Sequence, residues 1–192
     1  MRRGANTLRR AAVETTAAGH YAPGSDSMEH PDSSPALPEV WSCPNCGARL
    51  VSRNLWHSCG QFTLETLFAG AAPGVLELAR EYVAMLHSLG DVQVLAQKTR
   101  LVCVARVRFA GLSPRKRGFQ ATFALHRWLD SPQIVKQVDY GPRWRGHYVA
   151  VQARTDLDDE LRGWLQEAHD VVGLQADLPK RTARRPSASP GD

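Results

Sequence analysis

The chain has 192 residues, 43% of them hydrophobic and 22% charged, and it carries a net charge of +5. That balance excludes wholesale disorder and allows one ordinary domain with small attachments. Apolar runs are only a handful of residues long, as at 101–105, so no segment spans a bilayer, and four cysteines are too few for a disulfide scaffold.

The first segment, residues 1–40, opens on Arg2, Arg3, Arg9 and Arg10 and continues in Gly, Ser, Pro, Ala and Thr. It cannot bury enough apolar area to offset its chain entropy, and it reads as a disordered leader. No apolar core follows the arginines, which argues against a secretory signal, and Met28 offers a second translation start. Residues 179–192 read as a disordered basic tail carrying Lys180, Arg181, Arg184 and Arg185.

Residues 41–62 form the next unit. Cys43-Pro-Asn-Cys46 is followed ten residues later by His57-Ser-Cys59, with a glycine after each pair. The spacing allows a short hairpin to fold one knuckle onto the other, and three sulfurs with one imidazole make a standard tetrahedral zinc set. Glycine after each pair permits a tight turn beside the sulfurs. The unit is expected to be a zinc knuckle or ribbon with a structural Zn2+ held by Cys43, Cys46, His57 and Cys59. Four protein donors leave no position for a reacting water. Arg49 or Arg53 is placed to balance the charge of three thiolates. A Cys-x-x-Cys redox pair is the rival reading, but the βαβ setting of such pairs is missing.

Residues 63–178 carry the patterns of an α+β domain. Thr63–Phe68 suggests a short helix. Val75, Leu76, Ala79, Tyr82, Val83, Leu86 and Leu89 then recur at helical spacing up to Gly90. A short strand fits 91–96. From Leu101 the period changes to two, predicting one strand through Phe109 with Arg106 and Arg108 on its polar face. A loop is expected over 111–118, then strands over 119–125, 134–140 and 147–153. Thr155 is expected to cap a closing helix whose stripe runs from Leu157 to Val172, with Asp156, Asp158, Asp159 and Glu160 complementing its dipole. The expected architecture is an antiparallel sheet flanked by N- and C-terminal helices on one face.

Charge is uneven along this domain. Lys98 to Arg145 is strongly basic, while 154–178 is acidic. If Phe109 pairs near Phe119, Arg106 and Arg108 sit opposite Thr122 and Gln120 on an uncovered face. The tip Arg115-Lys116-Arg117 then projects from the hairpin. Such a surface suits phosphates, with Trp128, Trp144 and Tyr148 available to stack on bases. An uncovered sheet face is also commonly polar without a ligand. The scattered histidines read as surface or core residues, and His126 is the one predicted on the same basic face. The signatures of serine hydrolases, phosphate-binding loops and helical zinc proteases are absent from the sequence.

The helix Val75–Leu89, the run Lys98–Phe109, Phe123-Ala-Leu-His126, the segment Tyr140–His147 and the helix Leu157–Val172 together resemble a bacterial domain of unknown function of the DUF5655 type. The resemblance covers roughly 65–175 and implies a small α+β domain that is sometimes joined to other modules. It implies no reaction and no catalytic residues. The Cys3His segment in front looks like a zinc-ribbon attachment.

These readings converge on a cytoplasmic bacterial protein without a membrane partner, acting as a non-enzymatic binding module. DNA or RNA is the expected partner, through Arg106, Arg108, Arg115, Lys116 and Arg117. The alternative is a protein-interaction adaptor docking through the zinc unit or the acidic C-terminal helix.

Overall fold

The computed structural model describes residues 39–53 and 55–176. The leader up to residue 38 and the tail from residue 179 lie outside the described residues. Two short strands, β1 (Trp41–Ser42) and β2 (Arg49–Leu50), pair antiparallel in the cysteine-rich unit. Helices α1 (Leu64–Leu67) and α2 (Val75–His87) follow, and then six strands. These are β3 (Gln93–Ala96), β4 (Leu101–Val104), β5 (Arg108–Arg115), β6 (Gly118–Leu125), β7 (Ile134–Asp139) and β8 (Arg145–Val151). They form one antiparallel sheet in the order β3, β4, β5, β6, β8, β7. The closing helix is composite: a 3-10 turn (Arg154–Asp156), α3 (Asp159–Glu167) and a π turn (Ala168–Gly173). No helix among the described residues is long and apolar enough to cross a membrane.

The α+β expectation agrees with this architecture. Tyr82 and Leu86 of α2 and Leu161 and Leu165 of α3 are buried in one core with Leu101, Cys103, Leu112, Phe119, Ala121, Phe123 and Val149 of the sheet. Burial pushes the Cys103 thiol far up, as befits a small core residue. Helix starts follow side-chain chemistry. Thr63 and Thr66 cap α1 reciprocally at 3.2 and 2.9 Å. Asp158 accepts from the Leu161 amide at 2.9 Å to cap α3. Asp156 accepts from the Gln152 and Ala153 amides and starts the 3-10 turn, so the cap expected at Thr155 falls to the two aspartates.

The predicted strand 101–109 is two strands. The chain bends at Ala105–Val107 and doubles back, so that Cys103 pairs with Ala110 and Val104 with Arg108. The bend is anchored from outside, because the Arg106 and Val107 amides both donate to the Gly173 carbonyl at 3.0 and 2.9 Å. Strict alternation through 101–109 hides this turn, since both arms are apolar on the same side. The predicted loop 111–118 is consequently mostly strand, with β5 running to Arg115 and only Lys116–Arg117 left to turn.

The register shift leaves Phe109 as an extra residue on β5, and both Phe109 and Ala110 join the core. That bulge restores Arg108 to the face opposite the helices.

Candidate metal centre and the open sheet face

The cysteine-rich unit is built on two tight corners. Gly47 and Gly60 adopt φ of +69° and +77°, and Cys59 itself adopts +48°. The Gly47 amide donates to the Cys43 carbonyl at 2.8 Å, and the Cys43 amide to the Ala48 carbonyl at 3.0 Å. These turns bring one donor atom from each of Cys43, Cys46, His57 and Cys59 within 4.8 Å of one another. It is the one such cluster among the described residues.

Cys43 and Cys59 stand with their sulfurs 3.9 Å apart. Two sulfurs at ~2.3 Å from a tetrahedral zinc are separated by about 3.8 Å, so the spacing fits one ion between them. His57 Nδ1 lies 3.3 Å from the Leu55 carbonyl, while Nε2 is buried with no hydrogen-bond partner. A carbonyl on one ring nitrogen that frees the other is the usual outer support of a ligating histidine. Desolvation raises the Cys43 thiol. The Asn45 and Cys46 amides and the His57 ring outweigh it, holding the thiol near a value of about 6. Desolvation, then neighbouring Cys43 and Cys46, pushes Cys59 the other way. Arg49, expected to balance the thiolates, is instead engaged by Asp91 through two bonds of 2.6 and 3.0 Å.

The knuckle rests on the edge strand β3. Cys43, Ala48 and Leu50 form its small core, with Leu95 packed against it. Gln93 accepts from the Arg49 amide at 2.7 Å and donates to the Gly47 carbonyl at 2.9 Å. Ser58 Oγ donates to the Ala96 carbonyl at 2.6 Å. Gln93 and Leu95 alternate with Val94, which packs into the helix-covered core, so the knuckle sits on the opposite face of the sheet.

The rest of that face is uncovered by helices. Pairing aligns Leu95, Val102, Gly111, Thr122, Tyr148 and Lys136 in a row across the strands. Tyr140 and Tyr148 share a hydrogen bond of 2.5 Å between their hydroxyls. That bond is the main reason the Tyr148 phenol is pushed up to about 12. Lys136 Nζ lies 5.4 Å from the Tyr148 ring centre, a cation–π contact. The Tyr140 ring fills the space above Gly146, where a Cβ would come within 2.3 Å of Cε2, and it remains 57% exposed. Desolvation first, and then the Arg100 charge, draws the Arg108 guanidinium below its ordinary value.

The residues predicted to bind are dispersed. Arg108 is on the open face but pairs with Val104, while Gln120 and Thr122 pair with Ser113 and Gly111. Arg106 leaves the face altogether. It sits in the β4–β5 bend, and its guanidinium donates to the Gln175 and Ala176 carbonyls at 3.1 and 3.4 Å. Arg115, Lys116 and Arg117 stay exposed at the β5–β6 tip, with Arg115 donating to Gln120 Oε1 at 2.7 Å. His126 lies past the end of β6 and off the sheet. Trp128 is half exposed but lies past the end of β6, in contact with Arg145 and His147, and Trp144 packs on the core, leaving Tyr148 alone of the three predicted rings on the open face. Arg100 was missed because it precedes the predicted strand, and Lys136 and Tyr140 because the face of the strand predicted over 134–140 was not assigned. Only cross-strand register brings them together.

Residues 64–172 match the family model described as a domain of unknown function (DUF5655). No curated protein and no solved structure matches the chain. The four clustered donors precede the matched region. The match runs from α1 into the closing π turn, over more than half of the sequence, and on that extent the chain belongs to the DUF5655 family.

Proposed function

We propose that the chain is a non-enzymatic nucleic-acid-binding module of the bacterial cytoplasm, with one structural zinc in its Cys3His knuckle. The donor set supports zinc over calcium, magnesium or manganese, which take oxygen ligands, and four protein donors favour a structural role. A reducing compartment keeps the thiols available as ligands.

The observation that carries nucleic-acid binding is the grouping of Arg108, Lys136, Tyr140 and Tyr148 on the open face, with Arg100 beside them. Cations neutralise phosphates and release counterions, while exposed rings offer stacking surfaces to bases. The opposite side is uninviting to a polyanion, because α3 and the π turn carry Asp159, Glu160, Glu167 and Asp170.

The test is a salt titration of oligonucleotide binding with the full chain. Replacing Arg100, Arg108 and Lys136 together by Ser is expected to weaken binding and reduce the salt slope by up to about three phosphate contacts. A parallel Arg115, Lys116 and Arg117 triple to Ser measures the hairpin tip. Both variants keep the basic tail, so their difference from the parent reports the folded surface. Failure of the parent to bind DNA or RNA at low salt, or an unchanged slope in the first triple, ends this reading. Elemental analysis should find one zinc per chain.

A further inference from the structure

Building on that reading, we infer that the nucleic acid is single-stranded, and that the metal-held knuckle borders its path and adds Trp56 as a second stacking platform. The row Leu95, Val102, Gly111, Thr122, Tyr148 and Lys136 sets the path. At one end Leu95 is packed under the knuckle, and at the other stand Tyr148 and Lys136. Between them Gly111 and Thr122 keep the floor low. Leu95 and Tyr148 are four strand spacings apart, about 19 Å. That length suits the small end of single-strand sites, about four nucleotides.

The rings decide strandedness. In a duplex the base faces are already stacked on one another, so Tyr140 at 57% exposure would meet only the polar edges and the backbone. A helix entering the major groove is the other way to read a duplex, but the acidic residues of α3 oppose it. An extended single strand offers base faces and phosphates at once. Rings with interleaved cations match that chemistry.

Among the described residues Trp56 is the most exposed of the large apolar side chains, at 73%, and neighbouring Leu55 is 44% exposed. The ring belongs to neither apolar core. Its backbone is nevertheless fixed from two directions. His57, the next residue, belongs to the metal cluster, and Ser58 is bonded to the Ala96 carbonyl at the end of β3. The knuckle that carries it is docked on the open face by Gln93 and Leu95. A solvent-facing indole, on a knuckle docked at the β3 edge of that face, is a base-stacking group.

The experiment uses the zinc-loaded full chain and fluorescein-labelled oligothymidylate, oligouridylate and a mixed-sequence duplex of equal length, followed by anisotropy at one low salt concentration. Both single strands are expected to bind at least roughly tenfold more tightly than the duplex, since stacking is indifferent to the sugar. Trp56→Ala and Tyr148→Ala should each weaken single-strand binding by roughly 5- to 100-fold, with a smaller loss on the duplex. Tyr148→Phe keeps the ring and should retain most of the affinity. Zinc content and circular dichroism of each variant establish that it is folded and loaded. Equal affinity for duplex, or parental affinity in a loaded Trp56→Ala, overturns the inference. Binding that depends on Arg108 but on neither ring overturns only this inference. Absence of all binding removes the underlying reading as well.

Discussion

The two edges of the sheet are finished by the same device in different company. At the β3 edge the Gln93 side chain receives the Arg49 amide and donates to the Gly47 carbonyl. At the β7 edge the Gln137 side chain receives the Leu129 amide at 3.1 Å and donates to the Leu129 carbonyl at 3.0 Å. A glutamine amide offers the same donor and acceptor as a peptide, so it can hold an incoming segment where no strand fits. The segment at β7 brings its own anchor, because Leu129 is buried in the main core. The knuckle at β3 has a core of three buried residues. A unit that small cannot hold itself by burial, and its four clustered donors offer a metal the place that one leucine fills at the other edge.

The largest expected effect breaks the metal side of that comparison. Cys59→Ser removes one donor, and residues 41–60 should lose their amide protection in hydrogen exchange. Protection should also fall along β3, while β5, β6 and β8 keep theirs, because among the described residues the knuckle's hydrogen bonds to the sheet go to β3. Loss of protection throughout the sheet would mean that the knuckle supports the whole core. Unchanged protection in the knuckle would mean that no metal holds it.

The second effect compares the two clamps directly. Gln137→Ala strands the Leu129 amide and carbonyl in a partly buried site and should cost about 1–3 kcal/mol in urea unfolding. Gln93→Ala should cost less, because water reaches the Gly47 carbonyl more easily and the four clustered donors of the knuckle are left intact. A larger loss for Gln93 would reverse the assignment of burial to one edge and metal to the other.

How much of this was legible depended on whether the signal was local. The Cys3His spacing, the α2 stripe and the β6 alternation are read within a few residues, and the structure builds a donor cluster, a helix and a strand from them. The β4–β5 bend was invisible because Ala105 and Val107 continue the apolar alternation through the turn itself. What makes the chain turn is Gly173, whose carbonyl takes two amides from a distance in sequence of more than sixty residues. The same limitation misplaced Arg106 and left Arg100, Lys136 and Tyr140 unnoticed. The clamps escaped for a related reason. An isolated glutamine in a strand reads as surface, and only the segment it binds, distant in sequence or beyond a turn, reveals that it replaces a peptide.

The smallest expected effect sharpens the β7 side through pH. His147 is fully buried, stacked on Phe123 at 5.3 Å between ring centres, with Trp128 edge-on at 6.4 Å, and neither ring nitrogen has a hydrogen-bond partner. Burial draws its proton affinity below the ordinary imidazole value and outweighs the raising effect of the Arg145 backbone, while the nearby Arg127 charge lowers it further against the pull of Glu167. The unfolded chain therefore binds the proton more readily than the folded one. Stability from this group is complete above the unfolded value, about 6.5, and declines as pH falls through that value toward the depressed folded one. Urea unfolding between pH 8 and pH 5 should show a slope that His147→Phe, which keeps an aromatic ring against Phe123, largely removes. Gln137→Ala should leave most of that slope, because the clamp fixes Leu129 and not the imidazole. A slope that survives His147→Phe would move the acid sensitivity to another group and leave the β7 edge, like its clamp, insensitive to protons.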